Sequence, residues 1–130
     1  MTLQVVRRWF SRLPPYELDM PIVVVDALAY TPRAILEEVQ RGTALGERLQ
    51  RMVEAGVASL HQEELEELAK LRLRLLLSRP THLRVVAYTY PVPREMTMQE
   101  LLAEVEAGTH VGRRFIEAQK EVVMRLLSMR

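Results

Sequence analysis

The pattern Leu-x-Glu-Val-x-x-Gly-Thr-x-x-Gly-x-Arg occurs twice in this chain, 66 residues apart. Aligning residues 31–48 with 97–114 places Thr31, Leu36, Glu38, Val39, Gly42, Thr43, Gly46 and Arg48 on Thr97, Leu102, Glu104, Val105, Gly108, Thr109, Gly112 and Arg114. Ile35/Leu101, Leu45/Val111 and Leu49/Phe115 are apolar in both stretches. Identities this dense point to an internal duplication, and two copies are too few for a solenoid. The repeated residues describe a tight helix–helix corner. Glycine supplies a left-handed backbone that L-residues resist, and the threonine after it can cap the next helix through its hydroxyl. Gly46 and Gly112 then fall in the first turn of that helix. Glycine costs up to about 1 kcal/mol there relative to alanine, so something must compensate. Close packing against a neighbouring helix is one account; an anion or ligand held at the helix N-terminus by Thr43, Gly46, Thr109, His110 and Gly112 is the other.

Around the repeats, hydrophobic spacing supplies the remaining elements. Val5, Val6, Trp9, Phe10 and Leu13 make residues 2–12 a short amphipathic helix, which Pro14-Pro15 ends. The β-branched run PIVVVDALA reads as a strand over about 22–28, and LRVVAYTY as a second over 83–90. PVPRE after it reads as a proline-stiffened connector. Thr31-Pro32 and Thr97-x-x-Glu100 open helices. Ser59-x-x-Gln62 does the same for a long helix reaching about Ser78, although LRLRLLL within it also alternates with period two. The expected fold is α+β and predominantly helical, with two short strands that pair across the copies. The whole chain, 1–130, is expected to be one domain: an amphipathic N-terminal helix (1–15), the first copy (21–56), a linking helix without counterpart (59–79) and the second copy (83–130).

Composition narrows the function classes by exclusion. The chain has no cysteine, which removes disulfides and thiolate metal sites. Its net charge of +1 gives no global attraction to nucleic acid or anionic lipid. No apolar run approaches the ~20 residues of a membrane span, and the first residues do not read as a secretory signal, so cytoplasm is the default. Sixteen of the 18 basic residues are Arg and Asn is absent; a thermophilic source or a GC-rich genome would each produce this bias.

A helix–corner–helix invites comparison with DNA-binding helix-turn-helix units. The residue four before the turn glycine should then be small; here it is Glu38 or Glu104, and the corner is shorter than the usual three to four residues. A separate cationic stretch, Lys70, Arg72, Arg74, Arg79, Arg84 and Arg94 with Tyr88 and Tyr90 nearby, contains no acid and could track phosphates. The simpler account is helix electrostatics, since it is the basic end of a helix whose start carries Glu63, Glu64, Glu66 and Glu67. No catalytic constellation stands out. His61, His82 and His110 are isolated, with no metal-ligand spacing, and no cofactor motif is present. Asp26, the one acid in an apolar run, reads as a strand-end residue or an arginine partner. The N-terminal helix carries the only Trp beside Arg7 and Arg8; its apolar face is expected to pack on the core or to dock a partner or second subunit, and for a partner Trp9 and Phe10 are the natural anchors. The sequence therefore reads as a non-enzymatic protein–protein interaction, adaptor or regulatory module, with self-association one form of that activity. The alternatives are a nucleic-acid-associated protein using 70–84, or a small-ligand or anion-binding protein or enzyme at the glycine corners.

Overall fold

A computed structural model describes residues 2–88 and 93–129. Six α-helices and two antiparallel two-stranded sheets make a predominantly helical α+β fold among these residues. Helix α1 spans Thr2–Arg12, and a 3-10 turn follows at Pro15–Glu17. Strands β1 (Val23–Val25) and β2 (Leu28–Tyr30) lead to α2 (Pro32–Arg41) and α3 (Ala44–Ala55). Helix α4 covers Gln62–Leu77, then β3 (Arg84–Tyr88), β4 (Pro93–Thr97), α5 (Met98–Ala107) and α6 (His110–Leu127) complete the chain. The order helix, hairpin, helix, helix thus occurs twice.

Each expected strand is one arm of a hairpin. The apolar run at 22–28 folds back at Asp26-Ala27, both at positive φ (51° and 65°), so Val25 pairs with Leu28 and Val23 with Tyr30. Two positive φ values match the twist of a two-residue hairpin turn. The sequence there has Asp but lacks the glycine that normally announces such a turn, which is why the run reads as one strand. The stretch PVPRE is not only a connector: its last three residues lie in β4, where Val85 pairs with Met96 and Arg84 with Thr97. Pro93 sits at the first position of the strand, where a missing N–H is tolerated. The expected pairing of strands across the two halves does not form; each hairpin is its own sheet.

The corners follow the chemistry of their residues. Gly42 and Gly108 end α2 and α5 at φ 69° and 67°. The Thr43 hydroxyl accepts from the Gly46 N–H at 2.9 Å, and the Thr109 hydroxyl from the Gly112 N–H at 3.2 Å. Thr31 and Thr97 cap α2 and α5 in the same way, through the N–H groups of Ala34 and Glu100. Glu100 reaches back to the Thr97 N–H, completing the capping box. The box expected at Ser59 is displaced. Ser59 donates to the Gly56 carbonyl within a 3-10 turn, and the cap of α4 lies two residues later at His61, with the Glu64 carboxylate accepting from the His61 N–H. Residues 71–77 are helical.

Two apolar clusters hold these elements together. The first joins Val6, Trp9 and Leu13 of the N-terminal segment to Val23, Val25, Ile35, Val39, Leu49 and Val53, and takes in Leu65 and Leu68 from α4 and Val123, Leu126 and Leu127 from α6. The second joins Ala69, Leu73 and Leu77 to Ala87, Met96, Leu101, Val105, Val111 and Ile116. Helices α4 and α6 therefore contribute one end to each cluster and tie the halves together. Each such side chain, fully buried, contributes about 1.5–3 kcal/mol of transfer free energy. Helix α1 packs on α2 and α3 while α4 packs on α5 and α6, so the linking helix has a topological counterpart in α1.

Candidate functional site

The N-terminal helix turns its aromatic residues inward. Trp9 is fully buried, and its indole Nε1–H donates to the Leu126 carbonyl at the end of α6, 2.8 Å away. Phe10 is half-buried against the same cluster. Trp9 is thus placed in the core, the first of the two settings the sequence offers for this helix face, and not on an exposed surface. A lone Trp on an amphipathic helix has the same spacing whether its face meets its own core or another chain. Arg7 and Arg8 are exposed on the opposite face.

The cationic stretch is taken up largely by tertiary partners. Arg72 is 1% exposed. Its Nη2 donates to both carboxylate oxygens of Glu17 (2.6 and 2.8 Å), its Nη1 to the Pro21 carbonyl (3.0 Å) and its Nε to Gln119 Oε1 (2.9 Å). It is a buried node joining α4, α6 and the chain before β1, not an exposed cation of the kind the nucleic-acid alternative would use. Arg74 pairs with Glu106, Arg84 with Glu95 and Arg94 with Glu104. The hydrogen bond from Arg74 holds the Glu106 carboxyl below its usual pKa. Lys70 is half-buried, and Arg79 reaches the Met20 sulfur at 4.0 Å. Tyr90 lies outside the described residues. Glu17 carries no signal in the sequence; its role follows from packing alone.

At the corners, Gly46 and Gly112 are explained by helix packing. A Cβ on Gly46 would lie 2.7 Å from the Glu38 carbonyl carbon, and one on Gly112 would lie 2.5 Å from that of Glu104. The second helix crosses the first at its backbone. The small residue that a helix-turn-helix carries before its turn stands here after it. The N–H groups of Gly46 and Gly112 are occupied by Thr43 and Thr109, and the Thr43 hydroxyl donates to the Glu38 carboxylate. That carboxylate places a negative charge beside the start of α3. His110 is exposed at the start of α6. Asp26 stands at the exposed hairpin turn and pairs with Arg48 at 3.2 Å. No cluster of three or more metal-ligating side chains forms among the described residues, and none of their helices is long and apolar enough to cross a membrane.

Among the described residues one concavity is lined by apolar side chains and a single arginine. It has a volume of about 230 Å³ and lies between β3 and α6, lined by Val86, Ala87, Val111, Phe115 and Ala118 with Arg114. Val86 is 54% exposed in the middle of its strand. The inward face of that strand, Val85 and Ala87 beside Met96, packs on the second cluster, which leaves Val86 facing out. The sequence identifies Val111, Phe115 and Ala118 as one helical stripe, but not that the stripe extends past its own core to meet an outward strand residue. Among the described residues its lining is apolar apart from Arg114. Comparison of the chain with protein-family models, curated proteins and solved structures finds no match.

Proposed function

We propose that the protein is a small non-enzymatic interaction module whose two halves are copies of one unit and which binds a partner protein through the groove between β3 and α6. The observation that carries this reading is the exposed Val86 beside a half-buried Phe115. An exposed apolar strand residue and a partly exposed large aromatic that share a concavity form the usual centre of a binding patch. The ion pairs of Arg74 and Arg84 and the burial of Arg72 weigh against the nucleic-acid alternative. The threonine caps weigh against anion binding at the corners.

Site-specific photocrosslinking tests the reading. A benzophenone amino acid at Val86 or Ala118, introduced in the native host, should give a discrete protein adduct. The same probe at the exposed Arg12 should not. Absence of adducts from both groove positions, or equal adducts from Arg12, would overturn it. An adduct between two copies of the chain would identify the partner as a second protomer.

A further inference from the structure

The two hairpins can be placed in register by the residue before each helix cap. Tyr30 precedes Thr31 and pairs with Val23; Met96 precedes Thr97 and pairs with Val85. Val24 therefore corresponds to Val86 and Val25 to Ala87. On the following helices, the 66-residue offset sets Leu45, Arg48, Leu49 and Met52 against Val111, Arg114, Phe115 and Ala118. The groove lining of the C-terminal half thus has a residue-by-residue counterpart in the N-terminal half.

That counterpart is partly covered. The first turns of α4 run beside it: His61 and Glu64 border a depression with Val24, Arg48 and Met52, and Glu67, Leu68 and Leu71 border another with Val24. Leu65 and Leu68 enter the core cluster that contains Leu49, Val23 and Val25. Leu49 is fully buried, whereas Phe115 is only half-buried, and Val24 is half-buried where Val86 is exposed. The chain beyond α6 does not return to the second groove within the described residues. Leu126 and Leu127 are buried in the first cluster and Met129 packs against it.

We infer that the groove between β3 and α6 binds an amphipathic α-helix of another polypeptide, presenting leucines three residues apart between glutamates, as the start of α4 does in the other half. The inference rests on the interaction reading and names the chemistry of the partner. An apolar groove between a helix and a strand suits anchors at i and i+3 from a docked helix. At about 230 Å³ it is smaller than the ~300–1,000 Å³ typical of small-molecule pockets, and fits side chains better.

A fluorescent, helix-stapled peptide of residues 60–71 is the probe, because an unstapled peptide of this length is barely helical in water. Titrated with the full-length protein, it should bind saturably by anisotropy. Ala118→Arg should weaken binding at least about tenfold, and so should Val86→Glu on the exposed strand, each with its melting temperature checked against the parent. A peptide with alanine at both leucine positions corresponding to Leu65 and Leu68 should not bind. Binding that is absent, or that survives both groove substitutions, overturns the inference. So does a dimer in light scattering that Ala118→Arg disperses, since the groove would then be covered by a second copy. In either case a photocrosslink from Val86 still upholds the interaction reading, and its absence removes both.

Discussion

Replacing Arg72 by methionine keeps most of the side-chain volume and removes the guanidinium. Three acceptors then lose their donor at once: the carboxylate of Glu17, itself 6% exposed, the Pro21 carbonyl and Gln119 Oε1. Breaking a buried ion pair by removing one partner costs about 3–5 kcal/mol, because the remaining charge stays desolvated. A domain of this size is stable by only about 5–15 kcal/mol, so Arg72→Met removes a large share of it. With a urea dependence of about 2 kcal/mol per M, the midpoint should fall by roughly 2 M. Glu17→Leu should be costly for the same reason. The double variant should lose much less than the sum, since both charges leave together. Urea titration followed by circular dichroism at pH 7 gives all corners of the cycle. A midpoint for Arg72→Met close to that of the parent, or strictly additive losses, would refute this account of the node. A corollary concerns nucleic-acid assays: loss of binding in an Arg72 variant would report unfolding, so Arg74 and Arg79 are the interpretable positions.

Three further outcomes are expected. Gly112→Ala should destabilise more than Gly108→Ala, because the first drives a methyl into the Glu104 backbone while the second meets open space and pays only the left-handed conformation, about 1–2 kcal/mol; thermal melts of the two variants and of the Gly46/Gly42 pair decide it, and equal losses would refute it. Ala27→Gly should stabilise the first hairpin by about 0.5–1 kcal/mol, since Ala27 sits at φ 65° and glycine relieves that cost at the expense of a more flexible unfolded chain; an unchanged or lowered melting temperature would count against it. Acid should weaken the fold through carboxyls whose pKa is lowered: Glu66 by the hydrogen bond from Arg113, Glu106 by that from Arg74, Glu100 by the Thr97 N–H and Asp19 by Arg33. Their contribution is fully present above the ordinary carboxyl range near pH 4 and is lost as pH falls through the lowered folded values. Denaturation midpoints measured from about pH 6 to 2 should decline, less steeply in Glu66→Gln, and less in high salt because these pairs are exposed.

Local chemistry was legible before any tertiary contact was known. The glycine that ends a helix, the threonine that caps the next and the Thr97–Glu100 box involve atoms within a few residues of one another, so the sequence alone determined both corners, most helix limits and the predominantly helical class. Asp26 is an intermediate case: an arginine partner was one of its two readings, but which arginine, Arg48, is decided by the fold. What depended on distant atoms could not be read in this way. The fold-back at Asp26-Ala27 was hidden because no glycine marks it, and only pairing of Val23 with Tyr30 reveals it. Trp9 and Arg72 show the same limit from opposite directions. An amphipathic face records that a side chain will be buried, not by which chain, and a cation in a basic run says nothing of a carboxylate 55 residues away. Gly46 and Gly112 lie between these cases: their glycines were conspicuous, but the reason for them, a neighbouring helix's carbonyl, exists only once α2 and α3, and α5 and α6, cross. The groove between β3 and α6 is likewise a product of tertiary structure. The sequence supplied two similar linings, and the path of the chain, bringing the start of α4 beside Val24 while Val86 stays exposed, decided how they differ.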